Sequence, residues 1–213
     1  MSRFGAKNEG DTGIASVGMR VGVLSDVHGE LRTLTRALEH CRDAGVETIA
    51  LLGDLFDKVE EADRCAAALD SWHVVGVYGN HEREIALAAA AGEIRVEPST
   101  LDLLGGLSEQ VLTDEYCLIH EAEPWGQHDP VAALFQRSGL SNGYRPASWI
   151  TFAGHTHVRS ARTESGPLDI ARGTLKLSAV RNYLINPGAL SVGQYAIWDR
   201  EEHHITFHQL DDW

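Results

Sequence analysis

Between Arg20 and Gly92, short apolar runs alternate three times with segments of helical period. Arg20-Val21-Gly22-Val23-Leu24-Ser25, Thr48-Ile49-Ala50-Leu51-Leu52 and His73-Val74-Val75-Gly76-Val77-Tyr78 have the length and composition of buried strands. After the first run Leu31, Leu34, Leu38 and Cys41 recur at helical spacing, and Gly45 follows as a stop. After the second, Ala62, Cys65, Ala66 and Leu69 mark one helical face over 60–71; an alanine-rich helix over 82–91 follows the third. A β-α-β-α-β-α series leaves few folds open, because each crossover returns the chain to a parallel neighbour with right-handed geometry. The expectation is an α/β domain.

The second half changes character. Gln110-Val111-Leu112-Thr113 and Tyr116-Cys117-Leu118-Ile119 flank Asp114-Glu115, which reads as a hairpin. Short strand-like runs follow at 149–152, 183–185, 195–198 and 204–207, with a short helix over 130–137. This half should be richer in antiparallel pairs. Residues 1–18 carry four glycines and no periodicity, so they read as a mobile extension, leaving 19–213 as one domain.

Each apolar run ends in polar residues of a restricted kind. The endings are Asp26-Val27-His28, Gly53-Asp54 and Gly79-Asn80-His81-Glu82, then His120, then Gly154-His155-Thr156-His157. In an α/β sheet the loops at the carboxyl ends of strands converge on one crevice, so these segments deliver Asp, His and Asn to one place. The pairs Asp26/His28 and His155/His157 are two residues apart, which in extended backbone puts each pair on one side. Gly53, Gly79 and Gly154 precede the polar residues, where a missing side chain lets backbones approach closely. Oxygen and imidazole donors in this number suit two divalent transition metals.

The order of these residues resembles the calcineurin-like metallophosphoesterase superfamily, and Asn186-Pro187-Gly188 resembles its small bacterial branch. The resemblance covers residues 20 to about 210. It implies a four-layer α-β-β-α sandwich with metals at the carboxyl ends of the strands. It also implies that Asp26, His28 and His157 hold one metal, that Asn80, His120 and His155 hold the second, and that Asp54 bridges both. His81 matches the family's non-ligand histidine that faces the substrate, the expected general acid. Manganese is the metal expected, with iron, nickel, cobalt or zinc as alternatives, because amide and carboxylate oxygens share the shell with imidazoles.

The expected reaction is hydrolysis of a phosphate mono- or diester, by attack of a metal-activated hydroxide on phosphorus. Two readings compete: a non-catalytic metal-binding interaction scaffold of the same fold, and a nuclease. Net charge is −13, which repels long nucleic acid at range, so the expected partner is a small phosphorylated substrate. No stretch of about 18 apolar residues is present, so no membrane partner is expected. Three widely spaced cysteines and the absence of an apolar leader suit the cytoplasm.

Two departures from the family pattern stand out. Lys58 stands where a related branch has an arginine, so a point charge replaces a bidentate grip on substrate phosphate. Glu121, with Glu123 nearby, follows His120 where glycine is usual, which argues against phosphoprotein and nucleotide substrates. His128 is a further substrate-side candidate. His40, His73, His203, His204 and His208 read as structural or solvent-exposed.

Overall fold

The computed structural model describes residues 18–121, 149–163 and 165–211. The three expected crossover units are present as β1 (Arg20–Leu24), α1 (Leu31–Asp43), β2 (Thr48–Leu51), α2 (Val59–Leu69), β3 (His73–Gly76) and α3 (Asn80–Ala90). A further helix, α4 (Pro98–Gly106), was not expected; it is short, starts at a proline and ends in two glycines, so it carries little periodicity. Then come β4 (Gln110–Leu112), β5 (Tyr116–Ile119), β6 (Trp149–Ala153), β7 (Ser160–Thr163), β8 (Gly166–Pro167), β9 (Thr174–Lys176), β10 (Asn182–Asn186), β11 (Gln194–Asp199) and β12 (His204–Gln209). The helix expected over 130–137 lies outside the described residues.

Two six-stranded sheets result, in the orders β3-β2-β1-β11-β12-β9 and β4-β5-β6-β10-β7-β8. β1, β2 and β3 are parallel neighbours, whereas β4–β5, β7–β10 and β11–β12 are antiparallel, as the change in sequence character predicts.

Period-two alternation explains why one sheet serves two cores. In the first sheet Val21, Val23, Ala50, Leu52, Val75 and Val77 point one way, into a cluster with Leu118, Ile150, Phe152, Tyr183 and Ile185 of the second sheet. Leu24, Ile49, Leu51 and Ile197 point the other way and meet the buried residues of the helices, among them Leu34, Leu38, Cys65, Leu69, Ile85 and Leu103. The sheets therefore pack face to face, with all four helices on the outer face of the first. Among the described residues no helix covers the outer face of the second sheet, nor is any helix long and apolar enough to cross a membrane.

Phe152 is fully buried between the sheets, 5.4 Å from the Trp198 ring. Phe152→Ala should cost about 3–5 kcal/mol, the range for removing a core aromatic, read as a lower urea midpoint at unchanged slope.

Candidate metal centre

The carboxyl ends of β1 and β2 continue into loops laced to each other by backbone hydrogen bonds. Asp26 N–H donates to the Gly53 carbonyl at 3.1 Å, while Val27 and His28 both donate to the Asp54 carbonyl, at 2.8 and 3.0 Å. The geometry there is not the extended backbone that the spacing predicts. Asp26, His28, Asp54, His155 and His157 all have positive φ, between 50° and 66°. Non-glycine residues seldom occupy this left-handed region, and Asp, Asn and His tolerate it best. Each of these five turns back toward the crevice instead of projecting along a strand. Strain of this kind, of order 1–3 kcal/mol per residue, persists where surrounding contacts over-determine it.

The second sheet supplies the facing wall. His120 follows β5, and Gly154 N–H donates to the His120 carbonyl at 2.9 Å. Asn186 fixes the next loop, its amide donating to the Gly154 carbonyl at 2.8 Å and to Thr156 Oγ1 at 3.0 Å. That gives the Asn186-Pro187-Gly188 segment a local task. Two glycines are required by closeness: a Cβ on Gly154 would lie 1.9 Å from Ser25 Oγ, and one on Gly79 would lie 2.0 Å from Asp54 Oδ1.

Three groups of donors converge here: Asp26 with His28 and His157, Asp54 with His120 and His155, and His28 with Asp57 and His81. In the first, His157 Nε2 lies 3.1 Å from His28 Nε2 and 3.3 Å from Asp26 Oδ1. In the second, His120 Nε2 lies 3.3 Å from Asp54 Oδ2 and 3.2 Å from His155 Nδ1. Asp26 and Asp54 are buried, and their charge is met locally. Ser25 Oγ–H donates to Asp26 at 2.5 Å, and His155 N–H reaches both Asp26 oxygens at 3.1 Å. Burial pushes the Asp54 carboxyl up, but the His120 and His81 contacts outweigh it, and the net shift is downward. Burial by itself lowers the His120 imidazole; the Asp54 carboxylate and the Leu52 carbonyl raise it above the ordinary histidine value.

The tautomers suit metal binding. His120 Nδ1 faces the Leu52 carbonyl at 2.7 Å, and His28 Nδ1 faces Asp57 Oδ1 at 2.6 Å. In each neutral ring the proton belongs on Nδ1, which leaves the Nε2 lone pair turned inward, as carboxylate- and carbonyl-oriented ligand histidines require. Two triangles of nitrogen and carboxylate donors within a few ångströms fit divalent transition cations.

The calcineurin-like phosphoesterase superfamily domain matches residues 19–207. The chain belongs to that superfamily. It is similar to an uncharacterized protein, MJ0912, of Methanocaldococcus jannaschii, at 24% identity with 90% of this chain and 87% of that one covered. Phosphodiesterase MJ0936 of the same archaeon is 26% identical over 66% of this chain and 75% of its own. Among solved structures, a metallophosphoesterase from Sphaerobacter thermophilus is 25% identical with a TM-score of 0.67, covering 91% of this chain and 89% of that one. Membership implies divalent-metal binding, which the donor groups fit.

Four predicted residues remain: Asn80, His81, Lys58 and His128. Asn80 opens α3 and shares a cavity wall with His120. His81 Nδ1 stands 3.5 Å from Asp57 Oδ1 and 5.4 Å, ring to ring, from His28. Lys58 precedes α2, its side chain 72% exposed and its Nζ 3.7 Å from Glu61 Oε1. His128 lies outside the described residues. Of the other histidines, His40 and His208 pack around buried Tyr195, where burial, then His40 and Arg159, lower His208 to about 4.

Sequence reasoning missed the role of Glu82. Its side chain is fully buried, and its two oxygens accept four backbone N–H groups: Asp54 at 2.8 Å and Gly79 at 2.8 Å on one oxygen, Leu55 at 2.6 Å and Phe56 at 3.3 Å on the other. Burial raises its carboxyl, with the backbone donors acting in the opposite sense. The available signal was Glu three residues after Gly79, the third helical position from which a carboxylate reaches back to the cap. Glu82→Gln replaces one acceptor with an NH2 that confronts backbone donors. It should cost about 1–3 kcal/mol, measured by denaturation, and should weaken metal binding at Asp54, measured by calorimetry. Unchanged stability would show that the four bonds hold nothing in place.

Proposed function

We propose that this protein is a dinuclear-metal-dependent phosphoesterase that hydrolyses a small phosphate mono- or diester in the cytoplasm. The observation that carries this reading is the pair of donor triangles, Asp26-His28-His157 and Asp54-His120-His155, at the strand ends of a calcineurin-like domain. The first triangle would hold one cation and the second, completed by Asn80, the other, with Asp54 as the shared carboxylate. When bound, two divalent cations supply Lewis acidity to the phosphoryl oxygens and a water acidified for attack on phosphorus. Manganese fits the mixture of carboxylate, amide and imidazole donors.

The chain's own residues then have distinct tasks. Asp57 orients the His28 ring and faces His81 Nδ1, so in a doubly protonated His81 ring one N–H is turned to Asp57 and the proton available for the leaving oxygen sits on Nε2. Asp26 and Asp54, as buried anions, favour cations where the net charge of −13 would otherwise repel a phosphate. The backbone hydrogen bonds between the β1 and β2 loops would keep these groups in place before substrate arrives.

Three measurements test this. Chelation should abolish hydrolysis of p-nitrophenyl phosphate or its bis ester, and manganese should restore it; full activity in protein shown by elemental analysis to be metal-free would overturn the mechanism. Asp54→Asn should lower the content of both metals together, because an amide offers one good acceptor where a carboxylate offers two. His81→Ala should retain both metals and lose little on p-nitrophenyl esters, whose leaving group departs without help. On alkyl esters the loss should reach the roughly 10²–10⁴-fold typical of a general acid. Lost metal would make His81 a ligand, and an equal loss on both esters would make it an electrostatic phosphate contact.

A further inference from the structure

A cavity of about 810 Å³ opens against His120 and Asn80, more space than a phosphoryl group uses and within the range of small-molecule sites. Both sheets build it. Val77 pairs in parallel with Ser108, and Tyr78 N–H donates to the Ser108 carbonyl at 3.0 Å, which stitches the end of the first sheet to the start of the second. Tyr78 therefore stands at the seam. Asn80, Arg83 and Glu84 line the cavity from α3, and their spacing of three and four residues places them on one helical stripe. Glu109, Gln110 and Glu121 line it from the second sheet's side.

The charge of this wall is informative. Among the described lining residues Arg83 is the one permanent cation, set against the carboxylates of Glu84, Glu109 and Glu121. A second phosphoryl group here would meet three anions. An ionised carboxylate only accepts hydrogen bonds, and adjacent hydroxyls present donors in matching pairs. Arg83 and Gln110 supply donors for hydroxyl oxygens, and the Tyr78 ring offers a flat apolar surface with one polar tip.

We propose that this cavity is the leaving-group pocket and that the substrate is the phosphate ester of a sugar or polyol. This rests on the phosphoesterase reading above and narrows it. The pocket lies beside His120, so a phosphate on the metals places its organic group against Tyr78 and the carboxylates. A nucleoside polyphosphate or a phosphoprotein segment rich in acidic residues is rejected by the same wall.

The test compares kcat/KM for glucose 6-phosphate and ethyl phosphate, and for their methyl diesters, in the manganese-loaded protein. ADP serves as the anionic competitor. Two good hydrogen bonds predict a preference of at least about tenfold for the sugar ester. Glu109→Ala and the milder Glu109→Gln should each lower the sugar-to-ethyl ratio about 3–10-fold, the effect of one hydrogen bond. Calorimetry with a non-hydrolysable glucose phosphonate and with ethylphosphonate reads the pocket without turnover; the sugar phosphonate should bind more tightly, and Glu109→Ala should narrow the gap.

Equal ratios for the two esters, or preferred turnover of ADP, would overturn the sugar assignment and leave the phosphoesterase reading intact. No turnover of any ester, p-nitrophenyl phosphate included, would overturn the phosphoesterase reading itself. The two phosphonate affinities then decide the pocket separately, and equal values would overturn it too.

Discussion

Two buried carboxylates, Asp26 and Asp54, stand where the carboxyl ends of both sheets meet, and the local structure is organised around them. An isolated buried carboxylate is too costly to keep ionised, so each must be compensated. Asp26 accepts from Ser25 and from the His155 backbone, so the second sheet's loop is tied to the first sheet's charge. Asp54 is matched by His120, again from the opposite sheet. These contacts make the site a property of the interface between two sheets rather than of either sheet alone. A divalent cation completes the same compensation more strongly than a proton or an amide can.

Compensation has a conformational cost. Five of the converging residues are held at positive φ, and the hydrogen bonds between the β1 and β2 loops over-determine that backbone. Glu82 contributes from below, gathering the amides of Asp54, Leu55, Phe56 and Gly79 on one side chain. A third carboxylate is thus buried to position the second. Its neighbours in sequence face the substrate side, so α3 delivers His81 outward and Glu82 inward from adjacent positions. The left-handed residues and this clamp together fix the backbone around Asp54 through hydrogen bonds within the protein itself.

Under the proposed function, the same arrangement would let a protein of net charge −13 receive a phosphate ester. Cations bound at the strand ends would dominate the field over a few ångströms, while the acidic surface dominates at longer range and is screened by salt. Selectivity would then fall to the walls just beyond the metals. In the proposed pocket the carboxylates of Glu84, Glu109 and Glu121 would accept donors from the organic half of the substrate.

The sequence by itself determined the alternation of strands and helices in the first half and the list of residues that could carry chemistry. Val21, Val23, Ala50 and Val75 on one face and Leu24, Ile49 and Leu51 on the other are apolar because both faces of their sheet are buried, and that pattern is visible in one dimension. The residues Asp26, His28, Asp54, His120, His155 and His157 were legible because each follows an apolar run. Their pairing came from the family resemblance and not from spacing: which histidine meets which aspartate depends on how the two sheets stack, and that is set by contacts far apart in the chain. Backbone handedness was equally hidden, since alternate spacing suggests an extended strand until the hydrogen bonds to a neighbouring loop are known. Helix α4, the short strands β7 to β9 and the buried task of Glu82 carry too little local periodicity to announce themselves. Only the tertiary structure decided them, because their stability comes from partners that local sequence does not contain.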